Sequence, residues 1–151
     1  MTREKNLPTV DEEQSSTESN SSILVVDDND MGRMTMPRVL SMSPWHNSNI
    51  EVCASVRSAI QTITAGFTPD FILSEMVMPG ESGFDLYSWI EENKPELLDT
   101  LGFTACGDGE GRQMIDFMSR MRTKKRLIEK PFLPEEIISM MQEISADKMI
   151  I

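Results

Sequence analysis

Four stretches of this chain end an apolar run in a group that can do chemistry. Asp27 and Asp28 follow Ile23 to Val26, Glu75 follows Phe71 to Ser74, Thr104 follows Thr100 to Phe103, and Lys130 comes just after Arg126 to Ile128 and just before Pro131. Three carboxylates brought together repel, which raises their affinity for protons unless a cation compensates. A hard divalent ion such as Mg2+ takes oxygen ligands of this kind. A threonine hydroxyl and a lysine ammonium supply the hydrogen bond and the charge that a bound phosphoryl group requires. Each residue alone has a plainer reading, since a terminal Asp can be a helix cap and a Lys a solvated surface group. Their joint placement points to a site for a metal and a phosphate-like charge.

The gathering has to come from the fold. The apolar runs Ile23 to Val26, Ile50 to Ala54, Phe71 to Ser74, Thr100 to Phe103 and Arg126 to Ile128 alternate with segments of helical period. Several runs are continuous rather than alternating, as strands covered on both faces are. Val56, Ala59, Ile60 and Ile63 mark an amphipathic helix opened by Ser55 and closed by Gly66. Ser82 caps another helix through Leu86, Trp89 and Ile90 to Lys94, where Pro95 disfavours continuation. Met114, Phe117, Met118 and Met121 form one packed helical face, and a last helix opens at Pro134 with Glu135 and Glu136 near its positive end. After the first strand, Pro37 would cost about 3 kcal/mol in a regular helix, so a kink or a late start is expected there. Strands alternating with single helices give an α/β fold: one doubly wound, five-stranded parallel sheet with helices on both faces. Ligands of such sheets bind beyond the carboxyl ends of the strands.

Composition narrows the function. A formal charge of −11 argues against a general nucleic-acid binder, and no apolar run approaches a membrane span. With no secretory signal at the start, a cytoplasmic protein is expected. Residues 1–22, ending in "QSSTESNSS", are too polar to repay the entropy of ordering and read as a disordered tail, with one domain over 23–151. Two cysteines, Cys53 and Cys106, are too few for a disulfide framework and read as small buried groups. His46 has no partner for a zinc site or triad, and "CGDGEG" lacks the ending of a phosphate loop. Arg120, Arg122, Lys124, Lys125 and Arg126 form a basic cluster that suits a solvated surface or an acidic partner.

The motifs "ILVVDDND", "PDFILSEMVMPGESGFDLY", "LGFTACGD" and "RLIEKPF" occur in an order and spacing that resemble the receiver domains of two-component response regulators. The resemblance covers almost everything from Ser22 to Ile144. It implies a flavodoxin-like fold with strand order 2-1-3-4-5, a cis Lys130-Pro131 bond, and a phosphorelay partner such as a histidine kinase. It also implies an aspartate that accepts a phosphoryl group in the presence of Mg2+, and a partner face made by the fourth helix, fifth strand and fifth helix. In that strand order Cys53 and Cys106 would lie roughly 14 Å apart at about 4.8 Å per strand, too far for a disulfide.

Glu75 falls where the family has its acceptor aspartate. One extra methylene moves the carboxylate outward by about 1.5 Å, which should impair a transfer that needs in-line attack and near-ideal Mg2+ geometry. One reading has Glu75 reach Thr104 and Lys130 and partly imitate the phosphorylated state. A second makes the domain a pseudo-receiver that binds partners without a phosphorylation switch, and a third makes Glu75 a drifted or engineered replacement. Mg2+ binding is expected to be weak or impaired, with Asp27, Asp28, Glu75 and the Val77 backbone as its ligands and Asp28 and Val77 in direct contact. Leu127 departs from the aromatic residue that the family often places there. The expected protein is a signalling module rather than an enzyme, binding no nucleic acid and no membrane, a monomer or weak dimer. The alternative from another class is an aspartyl-nucleophile phosphatase-like enzyme on a similar sheet. A flavin module is disfavoured because no Ser/Thr-rich phosphate loop follows the first strand.

Overall fold

The structure is a computed structural model that describes residues 20–106, 112–113 and 126–149. The apolar runs form five parallel strands: β1 (Ser22–Val26), β2 (Asn49–Cys53), β3 (Phe71–Glu75), β4 (Leu101–Cys106) and β5 (Leu127–Lys130). They lie in the order β2-β1-β3-β4-β5, as expected. Central β3 is buried along its whole length, in keeping with its apolar run Phe71–Leu73, whereas edge strand β2 is largely exposed. Ser22, expected in the tail, is the first residue of β1: it pairs with Asn49, and its N–H donates to the Asp70 carboxylate at 2.9 Å. Residues 1–19 of that tail lie outside the described residues.

Successive strand residues point to opposite faces, and this sorts the core into two clusters. Leu24, Val26, Ile72, Leu101 and Phe103 pack against α2 (Val56–Thr64) and α3 (Gly83–Asn93). Ile23, Val25, Phe71, Leu73 and Ile128 pack against α1 (Asp30–Ser41) and α4 (Pro134–Met149). Ser55 caps α2 by accepting from Ser58 N–H, and Ser82 forms a capping box with Asp85 at the start of α3. Pro95 ends α3 and opens a 3-10 turn over Pro95–Thr100, so β4 begins at Leu101 rather than at Thr100 and runs on to Cys106. Arg126 likewise precedes β5.

Helix α1 departs from its expected late start. It begins at Asp30, capped by Asn29, whose side chain accepts from Met31 N–H, and runs without a break through Pro37. Burial of Met36, Val39 and Leu40 against the sheet outweighs the missing proline donor. The helix also carries Gly32, where a Cβ would stand 2.0 Å from Asp27 Oδ2. Only a residue without a side chain lets α1 lie this close to that carboxylate.

Gly32→Ala should therefore destabilise the fold by about 1–3 kcal/mol, the range for forcing atoms into a packed site. In an Asp27→Ala background the same change should stabilise by about 0.5–1 kcal/mol, as Gly to Ala does in an open helix. Urea unfolding of the four proteins measures both, and an unchanged sign in the second background would remove the steric explanation.

Candidate functional site

The two-residue period that sorts the core also places the site. Asp27 continues the parity of Ile23 and Val25, and Glu75 that of Phe71 and Leu73. Lys130 continues that of Ile128, and Thr104 shares a face with Gly102, where an added Cβ would meet Met140 of α4. All four sit at the carboxyl ends of neighbouring strands, on the α1/α4 face. Register makes Glu75 and Thr104 lateral neighbours and sets Lys130 beside Cys106.

Their side chains meet. Lys130 Nζ lies 2.5 Å from Glu75 Oε1 and 3.5 Å from Asp27 Oδ2. Thr104 Oγ1 donates to Glu75 Oε1 at 3.2 Å. Asp27, Glu75 and Thr104 are each less than a tenth exposed. Burial works against the Lys130 charge, yet its hydrogen bond to Glu75, the charges of Glu75 and Asp27 and a hydrogen bond to Asp27 outweigh that, holding its pKa above the ordinary lysine value of 10.5. Asp27 is further fixed by Asn29 N–H, which donates to Oδ1 at 3.0 Å, and by Arg33, which donates to its backbone carbonyl at 2.8 Å. The Lys130-Pro131 bond is cis, as the resemblance implied.

Of the other expected site residues, Asp28 lies in the bend just after β1 and is exposed. Val77 begins a two-residue antiparallel ribbon, Val77–Met78 against Glu81–Ser82, turned at Gly80 with φ of 74°. Glu81 of this ribbon reaches back to α2, its carboxylate accepting from Val56 N–H at 2.9 Å. That link, Asn29 and Gly32 are site-shaping features that the motifs did not reveal. A glycine inside a helical pattern was the one signal available for Gly32.

Two of the carboxylates expected to hold Mg2+ already have protein partners. Glu75 Oε1 is taken by Lys130 and Thr104, Asp27 Oδ1 by Asn29, and Asp28 is exposed to solvent. Among the described residues, no group of three or more His, Cys, Asp or Glu is placed to hold a metal. The compensating cation at this rim is the Lys130 ammonium. Beside the cluster, between α1 and the segment after β5, lies a cavity of about 520 Å³.

Cys53 is buried, as expected, but Cys106 is exposed, because it lies at the last position of β4 where the strand leaves the core; both are free thiols. Arg126, expected in a basic surface cluster, is buried: it donates to the Asp99 carbonyl at 2.6 Å and ion-pairs with Asp147. The rest of that cluster, and the helical face from Met114 to Met121, lie outside the described residues. Leu127 packs against the α2/α3 cluster. Among the described residues no helix is long and apolar enough to cross a membrane.

A family model described as the response regulator receiver domain matches residues 23–142. A response regulator receiver domain protein from Clostridium thermocellum superposes with a TM-score of 0.68 at 17% identity, over 87% of this chain and 99% of its own. The signal receiver domain of a signal transduction histidine kinase from Syntrophus aciditrophicus gives 0.69 at 18%, over 87% and 94%. The chemotaxis response regulator CheY4 of Vibrio cholerae gives 0.63 at 21%, over 83% and 98%. At these identities the structural likeness speaks for the fold. Among curated proteins, none matches the chain by sequence. Because the family model spans most of the chain and the strand order agrees with it, this protein belongs to the response regulator receiver domain family, the receiver modules of phosphorelay signalling.

Proposed function

We propose that this receiver domain signals through protein contacts without forming an aspartyl phosphate, because Glu75 occupies the acceptor position. The observation that carries this reading is the ion pair of 2.5 Å between Lys130 Nζ and Glu75 Oε1, with Thr104 donating to the same oxygen. A hydroxyl and an ammonium suited to a phosphoryl group are thus already engaged by the longer acid. The imitation of the phosphorylated state is partial, since a carboxylate brings one charge and two oxygens against about −1.5 to −2 and three oxygens for a phosphoryl group. Lys130 takes the compensating role of a divalent ion, so any Mg2+ binding at Asp27 and Asp28 is weak. The module acts in the cytoplasm as a monomer or weak dimer, with a histidine kinase or another phosphorelay protein as partner.

Exposure of the chain and its Glu75→Asp variant to a small phosphodonor with Mg2+ tests the reading. The variant should acquire base-labile label, and the unaltered chain roughly a hundredfold less, the penalty for misplacing a reacting group by about 1 Å. Equal labelling of both would overturn it.

The ion pair makes its own prediction. A lysine pKa raised on folding contributes stability that is complete below 10.5 and is lost as the pH rises through the higher folded value. NMR titration of the Lys130 side chain should give a midpoint above 10.5, and Glu75→Gln should lower it, since burial then acts against a weaker attraction. A midpoint unmoved by Glu75→Gln would contradict the pairing.

A further inference from the structure

We propose that the cavity between α1 and the segment after β5 binds an uncharged small molecule, with a compact apolar body and an amide or hydroxyl head. The cavity measures about 520 Å³, within the range of roughly 300–1,000 Å³ usual for small-molecule sites. Met31 and Met36 of α1, with Pro131 and Phe132 after β5, supply apolar walls. Methionine side chains are flexible and polarisable, so such walls adapt to the shape of a ligand.

The charged groups on the wall, Asp27 and Lys130, are engaged with each other and with their neighbours. Asp27 Oδ1 accepts from Asn29 N–H at 3.0 Å, and Oδ2 stands 3.5 Å from the Lys130 ammonium, which lies 2.5 Å from Glu75 as well. A cation or an anion entering here would give up hydration and meet only charges that already have partners. To gain a counter-charge it would have to break a buried pair, which costs more than the net value of that pair. The electrostatics therefore favour a neutral ligand over an ion of either sign.

Neutral hydrogen-bonding groups remain open on the same wall. Asn29 caps α1 through its Oδ1, which accepts from Met31 N–H at 2.8 Å, and its Nδ2 donates to no partner among the described residues. Thr35 is exposed on the lining, and its hydroxyl likewise has no partner among the described residues. Thr104 gives its proton to Glu75 but keeps lone pairs that can accept. A primary amide carries both donors and an acceptor, so it can answer these groups while the apolar walls take the rest of the molecule.

Benzamide, benzoate and benzamidine share one shape and differ in charge. Each can be titrated into the full chain and followed by amide and methionine-methyl NMR shifts. Benzamide should give saturable shifts confined to the wall, at Met31, Gly32, Met36 and Thr104, with a Kd of about 1 mM, ordinary for so small a molecule. Benzoate and benzamidine should each bind at least about tenfold more weakly, since neither finds a free counter-charge. Asn29→Asp keeps the cap on α1 but removes the amide donor, and should weaken benzamide about fivefold. Thr35→Trp, at an exposed position that should leave folding intact, fills the space and should weaken benzamide beyond detection. Absence of saturable shifts at about ten times the expected Kd, binding of either ion as tight as that of benzamide, or indifference of benzamide to either variant would each overturn the proposal.

Discussion

Two carboxylates, each more than nine-tenths buried at the rim of a sheet, would repel one another and give up their charge if no cation stood with them. Lys130 is that cation. It comes from the far end of β5, crosses the rim above Thr104 and touches both Glu75 and Asp27. The lysine is itself two-way dependent, since its partly buried ammonium is held charged by the acids it neutralises. Removal of Lys130 would leave two buried carboxylates without compensation, which is more damaging than the net value of the pairs would suggest.

The meeting is a product of backbone period. A parallel strand turns each successive side chain to the opposite face, so residues two apart share a side, and aligned strands place those residues at one level. Asp27, Glu75, Thr104 and Lys130 inherit the α1/α4 face from the residues that precede them in their own strands. The core and the site are thus set by one rule, and a slip of register in β3 or β4 would bury the wrong residues and disperse the cluster together.

Much of this was legible in the sequence because the apolar runs are continuous and each ends in a polar group. The five strands, the caps Ser55 and Ser82, and the meeting of Glu75 with Thr104 and Lys130 follow from that pattern. The features that were not legible depend on tertiary contacts. Pro37 and Gly32 both argue against α1 by local propensity, yet packing on the sheet and the close approach of Asp27 decide the matter. Asp28 sits next to Asp27 in sequence, and adjacency conceals that it falls in the exposed bend after β1 while Asp27 is buried. Arg126 looks like part of a surface cluster until Asp147, on a helix that folds back beside it, is brought into reach. The end of β4 was hidden because Ala105 and Cys106 precede a glycine and read as loop.

The carboxylate of Glu81 ties the ribbon that follows Glu75 to the start of α2, on the face where Met76 and Met78 pack. The ribbon carrying it leaves the rim directly after Glu75, and the N–H it caps opens α2. A rearrangement at Glu75 that pulled this ribbon outward would strip the first turn of α2 of its acceptor, so the helix start would loosen in step. Disturbance at the rim would in this way be relayed through the Glu81 carboxylate to the first turn of a helix that carries none of the clustered charges.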